Sequence, residues 1–302
     1  VPYPSPTTYP SNFLYPGSSY SHRLGDPVAL GGIVLNAVDE FGVHWILESF
    51  TGWDSPGSTV SLTQRARGHG STASEPFLQA RVMTLAGYID APDAASGLAA
   101  RDRLAAAVSL DPFDVLVAEG DSVRNVSAMR QDAVIWKRNG PAEASFSVQI
   151  VAPDPLKYGD LVSASTALPS SSGGLTYPIT YPVTYTGVST SGVLRVVNEG
   201  NTQAPVWLRI DGPVPAGGWT VTHVGKRQTL SFATSLALAA GEFVTVDMQR
   251  REVLAQGQSA RAGYVTSRGW FTLDPGDNDI AFSAQNYSAT AQLTVTTKPA
   301  WS

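Results

Sequence analysis

The sequence predicts an all-β protein with one flanking helix, arranged as two successive β domains. Among 302 residues, 28 are Gly and 21 Pro, while 43% are hydrophobic and 15% charged. Such a chain can bury a core yet interrupts it often, which suits short strands. A helical bundle or coiled coil needs far fewer turn formers, and a disordered chain needs more charge. Apolar positions fall in short runs bounded by Gly, Pro or Asp, the pattern of strands separated by turns. The pattern lapses once, across residues 153–175, and the length on either side suits an independent core.

Residues 1–27 are rich in Pro, Ser, Tyr and Gly with little hydrophobic period. They read as an extended arm that must lie on something else to be ordered, with Tyr3, Tyr9, Phe13 and Tyr15 as its anchors. A first β domain, 28–160, follows, with expected strands at Ile33–Leu35, Trp45–Phe50, Thr59–Arg65 and Ala80–Tyr88. The polar, glycine-rich stretch 64–75, QRARGHGSTASE, suits a long exposed hairpin tip. Arg65 and Arg67 form the local basic pair there, beside His69, and read as a solvated or subunit-contact hairpin.

A helix is expected over Ala94–Leu110, where Leu98, Arg101, Leu104 and Val108 recur near helical spacing. Asp93 can accept from the first-turn amides, and Asp111 before Pro112 avoids the α region. Strands at Asp114–Ala118, Val123–Arg130 and Ala144–Val151 complete the domain; in the last, Ser145, Ser147 and Gln149 alternate with Phe146, Val148 and Ile150.

Residues 153–175 collect Ser, Pro and Gly and read as a linker, with the boundary near Asp160. The echo at 176–185, TYPITYPVTY, suits an extended edge segment because regular Pro excludes a central strand. Nine short strands are then expected, at Gly192–Val197, Pro205–Ile210, Trp219–His223, Thr229–Phe232, Phe243–Asp247, Glu252–Leu254, Gly269–Leu273, Asp279–Ser283 and Gln292–Thr296. Nine in about 110 residues imply a sandwich or jelly roll over 161–302.

No catalytic, cofactor or metal set emerges. His22, His44, His69 and His223 stand in unrelated contexts without metal-ligand spacing, and strand or packing roles are favoured for His44 and His223. The acidic stretch Asp274–Asp279 departs from the calcium-loop pattern and reads as a turn. Glu40, Glu48, Glu75 and Glu119 offer carboxylates but no evident pair. No glycine cluster completes a nucleotide-binding loop, no Ser lies in a nucleophile elbow, and the absence of Cys removes thiol chemistry. Seven tryptophans leave sugar stacking open, with core packing favoured.

The net charge of −5 resides in residues 1–158, which hold 16 acids and 11 bases against nine of each in the remainder. Specific nucleic-acid binding is therefore not expected. The start of the chain lacks the pattern of a signal peptide, and no apolar run approaches the roughly 18 residues of a membrane helix, so the expectation is a chain soluble and intracellular at synthesis, without membrane insertion.

Several stretches together resemble the distal tail proteins of long non-contractile-tailed phages, of the kind found in actinobacterial phages. They are GYIDAPD at 87–93, the helical ARDRL at 100–104, the run at 176–185, VNEGNT at 197–202, IDGP at 210–213, AGEFVTVD at 240–247 and GWFTLDPGDN at 269–278. These are structural motifs, with NEGN and PGDN supplying turns. The resemblance implies a tail-tube-like N-terminal β-barrel or sandwich domain and a galectin- or jelly-roll-like C-terminal sandwich. It further implies a virion protein without enzymatic activity or cofactor, made in the host cytoplasm. The N-terminal domain would form a homo-hexameric ring below the tail-tube protein and above the tail-tip hub and peripheral minor tail proteins. Six copies at −5 would put a formal −30 around a passage for DNA, and like charge disfavours adsorption. Some members carry an inserted carbohydrate-binding module, for which this chain has no spare length; a lectin-like adhesin recognising cell-wall glycan is the alternative reading.

Overall fold

The computed structural model describes residues 26–172 and 188–302. The arm residues Tyr3, Tyr9, Phe13 and Tyr15, His22 and the 176–185 echo lie outside them. The described residues divide into two compact units, 26–159 and 160–301.

The first unit is built on β1 (Val28–Leu30), β2 (Ile33–Leu35), β3 (Ala37–Val38), β4 (His44–Thr51), β5 (Ser58–Thr59), β6 (Leu62–Gln64), β7 (Ser71–Ala73), β8 (Phe77–Leu78) and β9 (Arg81–Asp90). After helix α1 (Ala94–Ala107) come β10 (Phe113–Glu119), β11 (Ser122–Arg130), β12 (Ile135–Arg138), β13 (Glu143–Ala152) and β14 (Lys157–Tyr158). The main sheet is antiparallel in the order β2-β1-β10-β11-β13-β9-β4-β3, and β12 extends it beside β13. Period-two alternation sets its inner face: Met83, Leu85 and Ile89 of β9 and Phe146, Val148 and Ile150 of β13 are buried, joined by Trp45 edge-on to Phe146. A smaller cluster of Ala29, Val34, Leu116, Ala118 and Val123 buries the other face at the β1–β10 end.

The Asp93 carboxylate accepts from the Ser96 amide at 2.8 Å and starts α1. The helix ends at Ala107, three residues before the expected Leu110, because Val108 leaves helical geometry. Its buried stripe is Ala100 and Leu104, continued by Val108, whereas Leu98 and Arg101 point outward. Gly31 lets the β1–β2 turn approach the helix end: at its φ of +55°, a Cβ would lie 2.1 Å from the Ala107 carbonyl oxygen. Gly87, which opens the GYIDAPD motif, crosses Ile46 beside a bulge between Leu47 and Ser49; a Cβ there would sit 2.0 Å from the Ile46 carbonyl oxygen.

The second unit is a β-sandwich. One sheet runs β15 (Val162–Ala167), β27 (Gln292–Thr297), β19 (Val206–Asp211), β22 (Phe243–Asp247), β23 (Glu252–Ala255) and β24 (Ser259–Ala260). The other runs β18 (Val193–Asn198), β26 (Gly276–Ala284), β20 (Trp219–His223), β21 (Gln228–Phe232) and β25 (Val265–Arg268), and a hairpin pairs β16 (Ser170–Ser172) with β17 (Val188–Thr190). β28 (Ala300–Trp301) is the last strand. Alternating residues such as Leu208, Ile210, Val221, Phe282 and Val295 are buried, and Trp219 stacks on Phe232 at 3.7 Å.

Three expectations are corrected. The supposed linker contains β14, β15 and β16: its Val, Ser, Ala and Thr are small enough to pair when a partner strand such as β27 is present. The single strand over Thr59–Arg65 is two short strands, broken where Ser61 and Ser74 bond across the hairpin. Gly269–Leu273 is not a strand; the ladder lies at Val265–Arg268, and the chain then turns where Trp270 donates to Arg268 and Gly269 abuts the Thr229 backbone. Phe271 and Leu273 are buried without belonging to a ladder strand, although Leu273 bridges Ala204.

Two asparagines shape the NEGN and PGDN turns. The Asn198 side chain accepts from Gly200 at 3.0 Å and donates to the Thr202 carbonyl at 2.8 Å. The Asn278 side chain accepts from the Asp274 amide at 3.0 Å and donates to the carbonyls of Asp274 and Gly276, each at 2.8 Å. His223 lies 3.0 Å from the same Asn278 oxygen, so this buried histidine has a packing role.

Candidate assembly surface

Between β4 and β9 the chain leaves the body of the first unit as an arm. β5 pairs only with β8 and β6 only with β7, making two short ladders in succession. Nearly every residue from Asp54 to Ala80 is exposed, including Val60, Leu62, Phe77 and Leu78, with Leu62 at 65% and Phe77 at 66%. An isolated two-stranded hairpin is marginal in water. Four large apolar side chains on such a hairpin form an exposed apolar surface that the described residues leave uncovered.

Arg65, Arg67 and His69 come together at the tip, where the Arg65 amide donates to the Gly70 carbonyl at 3.2 Å. All three are exposed, and neither arginine makes an ion pair among the described residues. Of the other sequence candidates, Glu40, Glu48 and Glu75 are exposed and do not converge, while Glu119 is engaged structurally. Among the described residues no group of His, Asp or Glu is arranged to hold a metal, and no tryptophan is exposed as a stacking platform.

The residues that hold the arm's base escaped the sequence reading. Gly52 has φ +85°, and a Cβ on it would sit 1.9 Å from the Val82 carbonyl oxygen. Trp53 then turns inward beside Phe50, with ring centroids 5.6 Å apart, and donates its indole N–H to Glu119. Fully buried Arg81 donates to the carbonyls of Pro155 at 2.8 Å, Gly52 at 3.4 Å and Trp53. Lys157 donates to the Asp54 carbonyl at 3.4 Å, with its ammonium 5.0 Å from the Trp53 ring centroid and 3.8 Å from Glu119. Arg124 closes on Glu119 at 2.6 Å. The carbonyls of three consecutive arm-base residues thus each meet a buried or nearly buried cation. Burial depresses the affinity of Arg81 and Lys157 for their protons, while Asp54 and Glu119 oppose that effect. One signal was legible: Arg81 occupies an inward position in the alternation that buries Met83 and Leu85.

Comparison with known proteins gives the fold a context. Residues 199–301 match the family model of the siphovirus-type tail component, C-terminal domain. The structure is similar to that of the phage SPP1 Dit protein, described as a paradigm of the hub adsorption apparatus in phages infecting Gram-positive bacteria. That similarity has a TM-score of 0.65 at 11% identity and covers 91% of this chain and 98% of the other. Chains of the phage p2 baseplate in its activated conformation, with Ca or with Sr, match at a TM-score of 0.46, at 9% and 11% identity, covering 90% of this chain and 97% of theirs. No curated protein matches the sequence. Residues 199–301 thus resemble the siphovirus-type tail component C-terminal domain, and the chain has the fold of the SPP1 Dit protein.

Proposed function

We propose that this protein is a structural, non-enzymatic hub of the tip of a long non-contractile phage tail. Its first unit assembles into a six-membered ring below the tail tube, and its second carries docking surfaces for tail-tip and peripheral proteins. The observation that carries this reading is the agreement in fold across both units with a protein described as a hub adsorption apparatus. The exposed apolar arm supports it, because a hairpin that buries nothing on its own chain has a use in an assembly. The acid excess of residues 1–158 suits a passage that DNA must cross without adsorbing.

The test is the mass and shape of the purified full chain by light scattering and negative-stain imaging, alongside a variant lacking residues 65–74. The expected result is a hexamer with an open centre that the deletion weakens while the subunit stays folded. A chain that remains monomeric at every concentration and binds cell-wall glycan would overturn the reading in favour of an adhesin.

A further inference from the structure

The clamp of Arg81 and Lys157 holds more than the arm. Arg81 is the first residue of β9, the foot by which the arm returns, and it pairs across the ladder with Ala152, the last residue of β13. Beyond Ala152 the chain runs through a connector, 153–159, to the second unit, which begins at Asp160. One guanidinium therefore joins three segments. It belongs to the returning foot, its Nη1 donates to Gly52 and Trp53 on the outgoing foot, and its Nε donates at 2.8 Å to Pro155 in the connector. Lys157, itself a connector residue, reaches back at 3.4 Å to the Asp54 carbonyl.

Neither segment has a long ladder of its own at this point. Within the first unit β14 contributes one register pair, Asn125 with Tyr158. A turn built on Asp154, whose carboxylate accepts from the Leu156 amide at 3.1 Å and the Tyr158 hydroxyl at 2.7 Å, presents the Pro155 carbonyl to Arg81. On the arm side the last β4–β9 register pair is Thr51 with Thr84, and beyond it the clamp and the Trp53 ring hold the foot. A planar guanidinium keeps its donors in fixed geometry, so displacing the carbonyls on one side shifts the donor that serves the other. The closed arrangement also carries a cost. Nη2 of Arg81 is buried without a hydrogen-bond partner, and burial lowers the proton affinity of both cations.

We infer that the clamp couples the two segments: it closes only when arm base and connector are both seated, so restraining the arm orders residues 153–159 and loosening the connector frees the arm. The coupling is reciprocal by linkage. It makes the state of the arm a signal to the segment that leads into the second unit. The inference rests on the geometry of the first unit alone and is independent of whether the chain forms a ring.

Hydrogen exchange of the full chain, read by mass spectrometry, tests it in both directions. Gly52→Ala drives a Cβ to 1.9 Å from the Val82 carbonyl oxygen and dislodges the arm base. Exchange across 156–159 should then rise about tenfold, a coupling of ordinary size, while the amides of β13 stay protected. Asp154→Ala releases the connector turn, and exchange across 52–57 should rise by a similar factor. In an Arg81→Met background each effect should be confined to its own segment, with Lys157→Met as the second uncoupled background. Single variants that loosen only their own segment overturn the inference, as does cross-talk that persists in both backgrounds. If Gly52→Ala also exposes β13, the unit has unfolded and Asp154→Ala decides alone.

Discussion

Replacing Glu119 by glutamine removes the carboxylate that Arg124 approaches at 2.6 Å, Lys157 at 3.8 Å and the Trp53 indole through a hydrogen bond, while keeping size and one acceptor oxygen. Lys157, with 6% of its side chain exposed, then keeps its charge with little compensation. Breaking one side of a fully buried pair costs about 3–5 kcal/mol. Here the Glu119 and Arg124 side chains are 29% and 22% exposed, so water recovers part of that. A hydrogen bond to a charged group contributes about 1.5–3 kcal/mol, and about 2 kcal/mol is the expected loss. For a unit of this size that is a fall in Tm of about 4–8 °C. Calorimetry of the full chain reads this loss, and hydrogen exchange across residues 54–64 reads the loosening of the arm's base. Adding Lys157→Met to Glu119→Gln should restore part of the stability by removing the stranded charge. A Glu119→Gln protein within about 0.5 kcal/mol of the parent, or a double variant no better than the single, would refute the clamp.

The neighbours Lys157 and Tyr158 predict opposite pH dependences. Burial holds Lys157 below the ordinary lysine value of 10.5, so between its folded value and 10.5 the unfolded chain binds more protons and stability rises with pH. Burial, with a 2.7 Å hydrogen bond to Asp154, raises the Tyr158 phenol above its ordinary 10.0, so above that pH the folded chain holds the extra proton and stability falls. Urea unfolding between about pH 8 and pH 11 should show Lys157→Met losing the rise and Tyr158→Phe losing the fall. Asn278→Ala removes a buried side chain that bonds Asp274 and Gly276, and should cost the second unit about 3 kcal/mol, read by chemical denaturation. Gly87→Ala forces a Cβ into the Ile46 carbonyl and should destabilise the first unit by about 3 kcal/mol in the same measurement.

Legibility in the sequence followed the physical origin of each element. β13 was readable because its apolar face and its Ser and Gln face obey a strict period of two, and α1 had a side-chain cap at Asp93. β12, Ile-Trp-Lys-Arg, was not, since only Trp136 packs on the core and the strand exists by pairing with β13. The misreading at Gly269–Leu273 has the same root: Phe271 and Leu273 are buried as strand residues would be, but the ladder belongs to the preceding four residues. On the exposed arm, the basic tip could be read locally because its residues are adjacent. The clamp beneath it joins Trp53, Arg81, Glu119 and Lys157 from four distant segments, which no local pattern reveals.

On the proposed assembly, stability and association are separable in the first unit, because the core and the exposed arm use different side chains. Of the arm's apolar residues the core cluster contains only Trp53 at its base, and the clamp engages the arm only at Gly52, Trp53 and Asp54. Substitutions at Leu62 or Phe77 therefore leave the core intact, and any loss of association reports on the partner surface alone. Substitutions in the clamp act the other way: they leave every apolar arm residue in place but loosen the base from which the arm projects. A base held by several buried donors limits the orientations the arm can sample, and that lowers the entropy lost on docking. The depressed proton affinities of Arg81 and Lys157 record the cost of placing those cations in the interior. An arm needed only as a passive connector would have no use for a base so costly to build.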